Sequence, residues 1–277
     1  PFRGLGKIAA LLPTHTRRSE ESQALQQFST PVELAFVAAI AARLTADDLV
    51  LEPSAGTGML AVQAEFSGAK LLLNEWAEDR HALLKGLFPK AFITRLDGAQ
   101  IHDRLDPALR PSVVLMNPPF SASPLIAGRH ASATFEHIRS ALARLEPNGR
   151  LVAITGESFS PYSRTWRSAF ETLQQTSTLR ATFAMQRGFF RRHGTDVESR
   201  LTVIDKVPAA NPTQFPVPLP PAETLQKLLD LVEQHVPARL DRFSMPPAPV
   251  VASPVEILAP RPASRLVAFG RRARIPK

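Results

Sequence analysis

Seven short apolar runs punctuate the chain between residues 49 and 206: LVLEP, KLLLNE, FITRLD, SVVLMN, RLVAIT, LRATFAM and RLTVIDK. Runs that are nearly continuous in apolar character suit strands buried on both faces of a parallel sheet. Between them lie stretches with apolar residues three and four apart, among them PVELAFVAAIAARL and FEHIRSALARLEPNGR. The first is expected to begin with Thr30 as N-cap and Pro31 at its first helical position, and the second to stop at its Pro-Asn-Gly. Strands alternating with helices at this spacing predict an open α/β sheet covered by helices on both faces, of the Rossmann-like kind. No helical pattern separates the last two strands, across GFFRRHGTDVES. That pair is expected to run antiparallel, which makes the seven-stranded sheet mixed.

The pattern changes at both ends. Residues 1–27 read as a lead segment and residues 28–207 as the domain. Prolines crowd the 208–277 stretch in runs such as FPVPLPP and MPPAPVVASP, so it reads as a Pro-rich extension. Within it AETLQKLLDLVEQHV keeps helical apolar spacing and is expected to pack on the domain or on a partner.

Composition narrows the chemistry. The 277 residues are 44% apolar, enough for a large core, and contain no cysteine. Disulfides, thiolate metal sites and cysteine nucleophiles are thereby excluded. No apolar run approaches the ~18 residues of a membrane span and no signal-peptide pattern is present, so the expected location is cytoplasmic. The seven histidines show no ligand spacing with nearby acids, so no metal is expected. A formal charge of +8 favours a polyanionic partner. The chain begins at Pro1 rather than Met, which leads us to expect a piece of a longer protein.

Candidate chemistry sits where strands end. After VVLM come Asn117, Pro118, Pro119 and Phe120. Two prolines stiffen the turn and remove donors, leaving the Asn117 side-chain oxygen and the Pro118 carbonyl as acceptors suited to an amino group. The Phe120 ring can stack on a planar system carrying that group; the alternative is a proline-capped strand end with a core phenylalanine. The first strand runs into EPSAGTGML, where Gly56 and Gly58 let backbone approach a nucleotide-like ligand. It lacks the third glycine of a dinucleotide fingerprint and the Lys-Ser/Thr of a phosphate loop. Glu75 ends the second strand and can accept both hydroxyls of a ribose, Trp76 can cover one face of a base, and Asp97 can accept from its amino group. Each alone also reads as a helix cap or a solvated strand end. In GFFRRHGTD, Phe190 is either a second stacking face or a hydrophobic staple, while Arg187, Arg191, Arg192 and His193 are either phosphate contacts or a solvated basic loop.

Taken together, FSTP (28–31), EPSAGTG (52–58), NE (74–75), LDG (96–98) and NPPF (117–120) resemble, in this order, the class I S-adenosylmethionine-dependent amino-methyltransferases, and among them the DNA adenine-N6 methyltransferases of the gamma arrangement. The resemblance covers roughly residues 25–207. It implies S-adenosylmethionine as cofactor, with Phe28 and Thr30 flanking its methionine part. Glu52, Ser54, Ala55, Gly56 and Gly58 would form its cradle, Glu75 and Trp76 would lie at the ribose and base, and Asp97 and Gly98 at the adenine. Asn117 to Phe120 would hold the substrate. The wording QFSTP, LEPSAGTGML, DPALRPSVVLMNPPF and GTDVESRLTVIDKVP also resembles the methyltransferase region preceding helicase-like domains in bacterial proteins of the strawberry-notch type. That implies a linked or associated helicase-like partner. The restriction-type enzymes' large target-recognition domain has no counterpart after residue 207.

The resemblance implies a reaction that these residues can perform. An exocyclic adenine nitrogen delocalises its lone pair into the ring. If Asn117 Oδ1 and the Pro118 carbonyl take its two N–H bonds, the lone pair is freed and the developing positive charge is met by fixed acceptors, each such contact being worth about 2.7–4 kcal/mol. Methylation at a cytosine ring carbon needs a thiolate, which this chain lacks. Within a duplex the base would have to be flipped out. The remaining alternatives are a glutamine amide in a protein, an amino group in RNA, and a non-catalytic nucleic-acid-binding module.

Overall fold

A computed structural model of the chain describes residues 2–11, 29–119, 127–193 and 196–241. Phe28, Phe120 and the extension beyond Asp241 lie outside the described residues. The elements follow in chain order: α1 (Phe2–Leu11), α2 (Val32–Ala42), β1 (Leu49–Glu52), α3 (Met59–Phe66), β2 (Lys70–Asn74), α4 (Glu78–Leu87) and β3 (Phe92–Thr94). They continue with a 3-10 turn (Gly98–Gln100), α5 (Ile101–Arg104), β4 (Val113–Met116), α6 (Ala127–Arg144), β5 (Arg150–Gly156), α7 (Arg167–Leu173), β6 (Thr178–Met185), β7 (Ser199–Asp205) and α8 (Leu225–His235).

The sheet order is β3-β2-β1-β4-β5-β7-β6. The first five strands are parallel, and β7 enters between β5 and β6 antiparallel to both. The expected mixed sheet is therefore present, and all the parallel strands end on one edge. Alternate residues feed opposite cores, as the two-residue repeat of a strand requires. Val113 and Leu115 join the cluster under α2, α3 and α8, whereas Val114 and Met116 join the one under α6 and α7. Each central strand is thus apolar on both faces, which is why the sequence shows runs rather than alternation.

Two local expectations change. α2 starts at Val32 with Pro31 at the cap position, and no side chain caps it. Thr30 is not the N-cap: its hydroxyl is engaged by Asn117 instead. The segment expected as a Pro-rich extension lies against the domain as far as Asp241. Gln174 Nε2 donates to the carbonyls of Pro212 and Gln214 at 2.8 and 2.9 Å, holding this segment against α7. α8 then packs on α2, with Leu228, Leu229, Leu231 and Val232 buried. Beyond it Arg43 and Arg150 donate to the carbonyls of Val236, Pro237 and Ala238, and Arg239 pairs with buried Asp48 at 2.6 Å. Arg150 is itself fully buried and fixed by Asp205 through two bonds of 2.7 and 3.0 Å. No helix among the described residues is long and apolar enough to cross a membrane.

Candidate active site

The tips of β1, β2, β3 and β4 enclose a cavity of about 290 Å³. Its walls include Ser54 and Gly56 after β1, Glu75 and Trp76 after β2, Asp97 and Gly98 after β3, and Asn117, Pro118 and Pro119 after β4. These residues are far apart in the chain and meet because four parallel strands finish side by side.

Asn74 fixes the floor. Its Nδ2 donates to the carbonyls of Pro53 and Leu96, both at 2.9 Å, while its Oδ1 accepts from Thr94 Oγ1 and from the Leu96 amide, both at 2.8 Å. One buried amide thus joins the ends of β1, β2 and β3. Glu75, also buried, accepts from the Gly56 amide at 2.8 Å and the Ala77 amide at 2.9 Å, so its carboxylate is oriented by the loop it helps to shape. Asp97 is more exposed and accepts from the Ala99 amide at 2.9 Å, opening the 3-10 turn. Trp76 stands at the rim, 57% exposed.

The Asn117 turn is held from two sides. Asn117 Nδ2 donates to Thr30 Oγ1 at 3.0 Å, and Thr134 Oγ1 on α6 donates to the Pro119 carbonyl at 3.0 Å. The helical hydroxyl therefore takes the carbonyl one residue beyond the acceptor expected at Pro118.

Several expected cradle residues face elsewhere. Gly58 (φ +82°) is turned to the core: a Cβ there would lie 2.6 Å from the Phe88 ring. Gly56 (φ +56°) does border the cavity, and the nearest atom to its missing Cβ is an Arg80 guanidinium nitrogen at 3.6 Å. Ala55 is buried, its amide on the Asn74 carbonyl at 2.8 Å. Glu52 is 3% exposed and outside the cavity lining. Burial pushes its carboxyl well above the ordinary range, the neighbouring Glu75 charge adds to this, and the Ala61 amide only partly opposes it. Its Oε2 has no hydrogen-bond partner among the described residues.

Phe190 requires a correction. It is fully buried among the core side chains under α2 and α8, so it has no face free for stacking, and of its two readings the staple is the one realised. Residues within a turn have no periodicity to say which of two adjacent rings points inward. Its neighbour Phe189 borders a second hollow with Pro31, Val32, Arg187 and Arg192. Arg191 pairs with Asp196 at 3.3 Å and Arg187 with Glu198 at 3.5 Å, all well exposed, while Arg192 donates to the Ala10 carbonyl at 3.4 Å.

Residues brought to the cavity by helices escaped the sequence reading: Arg80 from α4 and His137 from α6. The signal for His137 is a polar row at 134, 137 and 140 on a helix whose other inward positions, Ile138, Ala141 and Leu142, are apolar.

No family model matches the chain, and no curated protein matches it in sequence. Solved structures do match. A type I restriction-modification methyltransferase subunit from Streptococcus thermophilus superposes with a TM-score of 0.57 at 15% identity, over 76% of this chain and 53% of that one. A provisionally assigned class I S-adenosylmethionine-dependent methyltransferase from Listeria monocytogenes gives 0.57 at 13% identity, over 85% and 78%. The architecture is the class I methyltransferase fold. A provisionally assigned RNA methyltransferase from Pyrococcus horikoshii shares this class I fold, at a TM-score of 0.55 and 16% identity over 74% of this chain and 98% of that one. The chain spans about half the length of the restriction-modification subunits it matches.

Proposed function

We propose that the protein transfers a methyl group from S-adenosylmethionine to an exocyclic amino nitrogen, with adenine in DNA as the substrate. The observation that carries this reading is the meeting of Glu75, Asp97 and the Asn117-Pro118-Pro119 turn in one cavity. The residues present fit the cofactor. Gly56 gives close backbone approach, the Glu75 carboxylate suits a pair of ribose hydroxyls, Trp76 offers a base-sized flat face, and Asp97 accepts from an amino group. When bound, S-adenosylmethionine supplies an electrophilic methyl group on a sulfonium centre.

The chain's own part is to prepare the nucleophile. Thr30 Oγ1 accepts from the amide nitrogen of Asn117, and the Asn117 oxygen is assigned to receive one N–H of the substrate amine. The Pro118 carbonyl receives the other, and these two acceptors release the lone pair from the ring. Neither has to ionise. Phe120 is assigned the stacking face, Phe28 the methionine end, and exposed Arg191 and Arg192 phosphate contacts. Exposed ion pairs such as Arg191–Asp196 are worth little in water and can be exchanged for phosphate.

DNA is favoured by the charge of +8, by the NPPF wording and by the restriction-modification neighbours. RNA is the second reading, supported by the Pyrococcus neighbour. The strawberry-notch resemblance extends the proposal to a helicase-like partner, and the absence of cysteine and of a membrane-crossing helix among the described residues is compatible with a cytoplasmic site of action. Incubation with labelled S-adenosylmethionine and DNA, RNA or protein tests the reading. Label is expected at adenine N6 in DNA, and label in protein alone would overturn the nucleic-acid assignment.

A further inference from the structure

One face of α6 runs along the whole site. Thr134 holds the Pro119 carbonyl, and two turns later Ser140 Oγ accepts from the His102 amide of α5 at 3.0 Å. Midway between them His137 enters the cavity, so its ring is carried on a helix pinned at both ends of the site.

The ring rests on Gly98. A Cβ at that position would lie 3.0 Å from His137 Cε1, 3.1 Å from its Nδ1 and 2.9 Å from the Pro53 carbonyl. Only a glycine lets these three groups close together. The Nδ1–Cε1 edge is therefore turned to backbone, and Nε2 and Cδ2 are left to meet the cavity. Nδ1 is buried without a hydrogen-bond partner among the described residues. A proton there would have no acceptor, so the proton belongs on Nε2. Burial also holds the imidazole below its ordinary pKa, with Asp97 pulling weakly the other way, which keeps the ring neutral at pH 7.

The cavity lining then includes an acceptor and a donor, the Asp97 carboxylate and the Nε2–H of His137, close enough for the Asp97 charge to act on the ring. Adenine offers the matching pair, an amino donor at position 6 beside a ring-nitrogen acceptor. Hypoxanthine reverses both. We infer that His137 is a specificity-determining residue that, with Asp97, selects a 6-aminopurine at the cofactor end of the site.

This rests on the cofactor reading above, and calorimetry with two probes separates the two. S-adenosylhomocysteine and S-inosylhomocysteine differ only in the group at position 6 and in the proton on the ring nitrogen beside it. The wild-type protein is expected to bind the adenosyl form at least tenfold more tightly. His137→Phe should cut that preference at least about threefold, to the part that Asp97 alone supplies, with the melting temperature kept, and His137→Gln, which retains a donor, should restore part of the loss. Equal binding of both probes by the wild type, or an undiminished preference in a folded His137→Phe variant, would overturn the assignment of His137 while leaving the cofactor reading intact. Binding of neither probe would overturn both.

Discussion

The side-chain amide of Asn117 donates to the hydroxyl of Thr30 at 3.0 Å, tying the end of β4 to the segment that leads into α2. The sequence separates these residues by four of the seven strands, yet the bond fixes the amide orientation on which the proposed role of Asn117 depends. Asn117→Ala is expected to lower methyl transfer by a factor of about 100 or more while leaving cofactor affinity nearly unchanged. Thr30→Val removes only the orienting hydrogen bond, typically about 0.5–1.5 kcal/mol, so the turnover rate should fall roughly two- to tenfold. Single-turnover kinetics with calorimetry in parallel would check both, and equal loss of binding and turnover in Asn117→Ala would contradict its role.

Glu75 orients the loop after β1 and is proposed to hold the ribose as well. Replacing it with Ala removes two charge-assisted bonds to backbone amides as well as the partner for the ribose. The cofactor dissociation constant should rise by at least about tenfold, the equivalent of about 1.4 kcal/mol. An unchanged constant would refute the ribose assignment.

Gly58 and Gly56 separate packing from binding. Gly58→Ala places a methyl group against Phe88 in a left-handed backbone and should cost about 1–3 kcal/mol, read as a lower melting temperature. Gly56→Ala meets only backbone strain and the tip of Arg80, so its larger effect should be on cofactor affinity. The reverse pattern in thermal melts and titrations would mean that the two glycines had been assigned the wrong way round.

Glu52 gives a pH signature. Its folded pKa lies above the ordinary carboxylate value, so the folded state keeps a proton that the unfolded chain loses. Its contribution to stability therefore falls as pH rises from the ordinary carboxylate range through the raised value. Glu52→Gln imitates the protonated acid. The variant should match the wild type near pH 4 and melt higher at neutral pH, by a few degrees if about 1 kcal/mol is recovered. A difference independent of pH would show that folding does not raise the pKa of this carboxyl.

The Asp205 carboxylate receives buried Arg150 and also Arg180 at 2.8 Å. Breaking a buried pair by removing one partner costs about 3–5 kcal/mol, so Asp205→Ala should unfold at markedly lower denaturant concentration. We propose that the folding unit runs to about Asp241 rather than Val207. A chain ended after Val207 would uncover the apolar face of α2 and leave Arg150 without two of its carbonyl acceptors. It should fail to give a cooperative melt, whereas one ended after Asp241 should retain it.

The central strands were legible because they are apolar on both faces, and the acids at the strand tips were legible because a strand end is a position along a line. What helices carry sideways was not. His137 and Arg80 reach the cavity through side-chain direction and helix placement, which a single chain pattern does not display. The Thr30 hydroxyl had a choice between capping its own helix and holding Asn117, and only the assembled sheet decides between them. Phe189 and Phe190 stand in a turn, where nothing in the sequence distinguishes inward from outward.

Asn74 gives both of its amide hydrogens and both sides of its carbonyl oxygen to neighbouring strands. A visitor to the cavity therefore meets a polar floor with nothing left to offer it. Discrimination among ligands falls to the walls, and the floor can stay rigid whichever molecule lies above it.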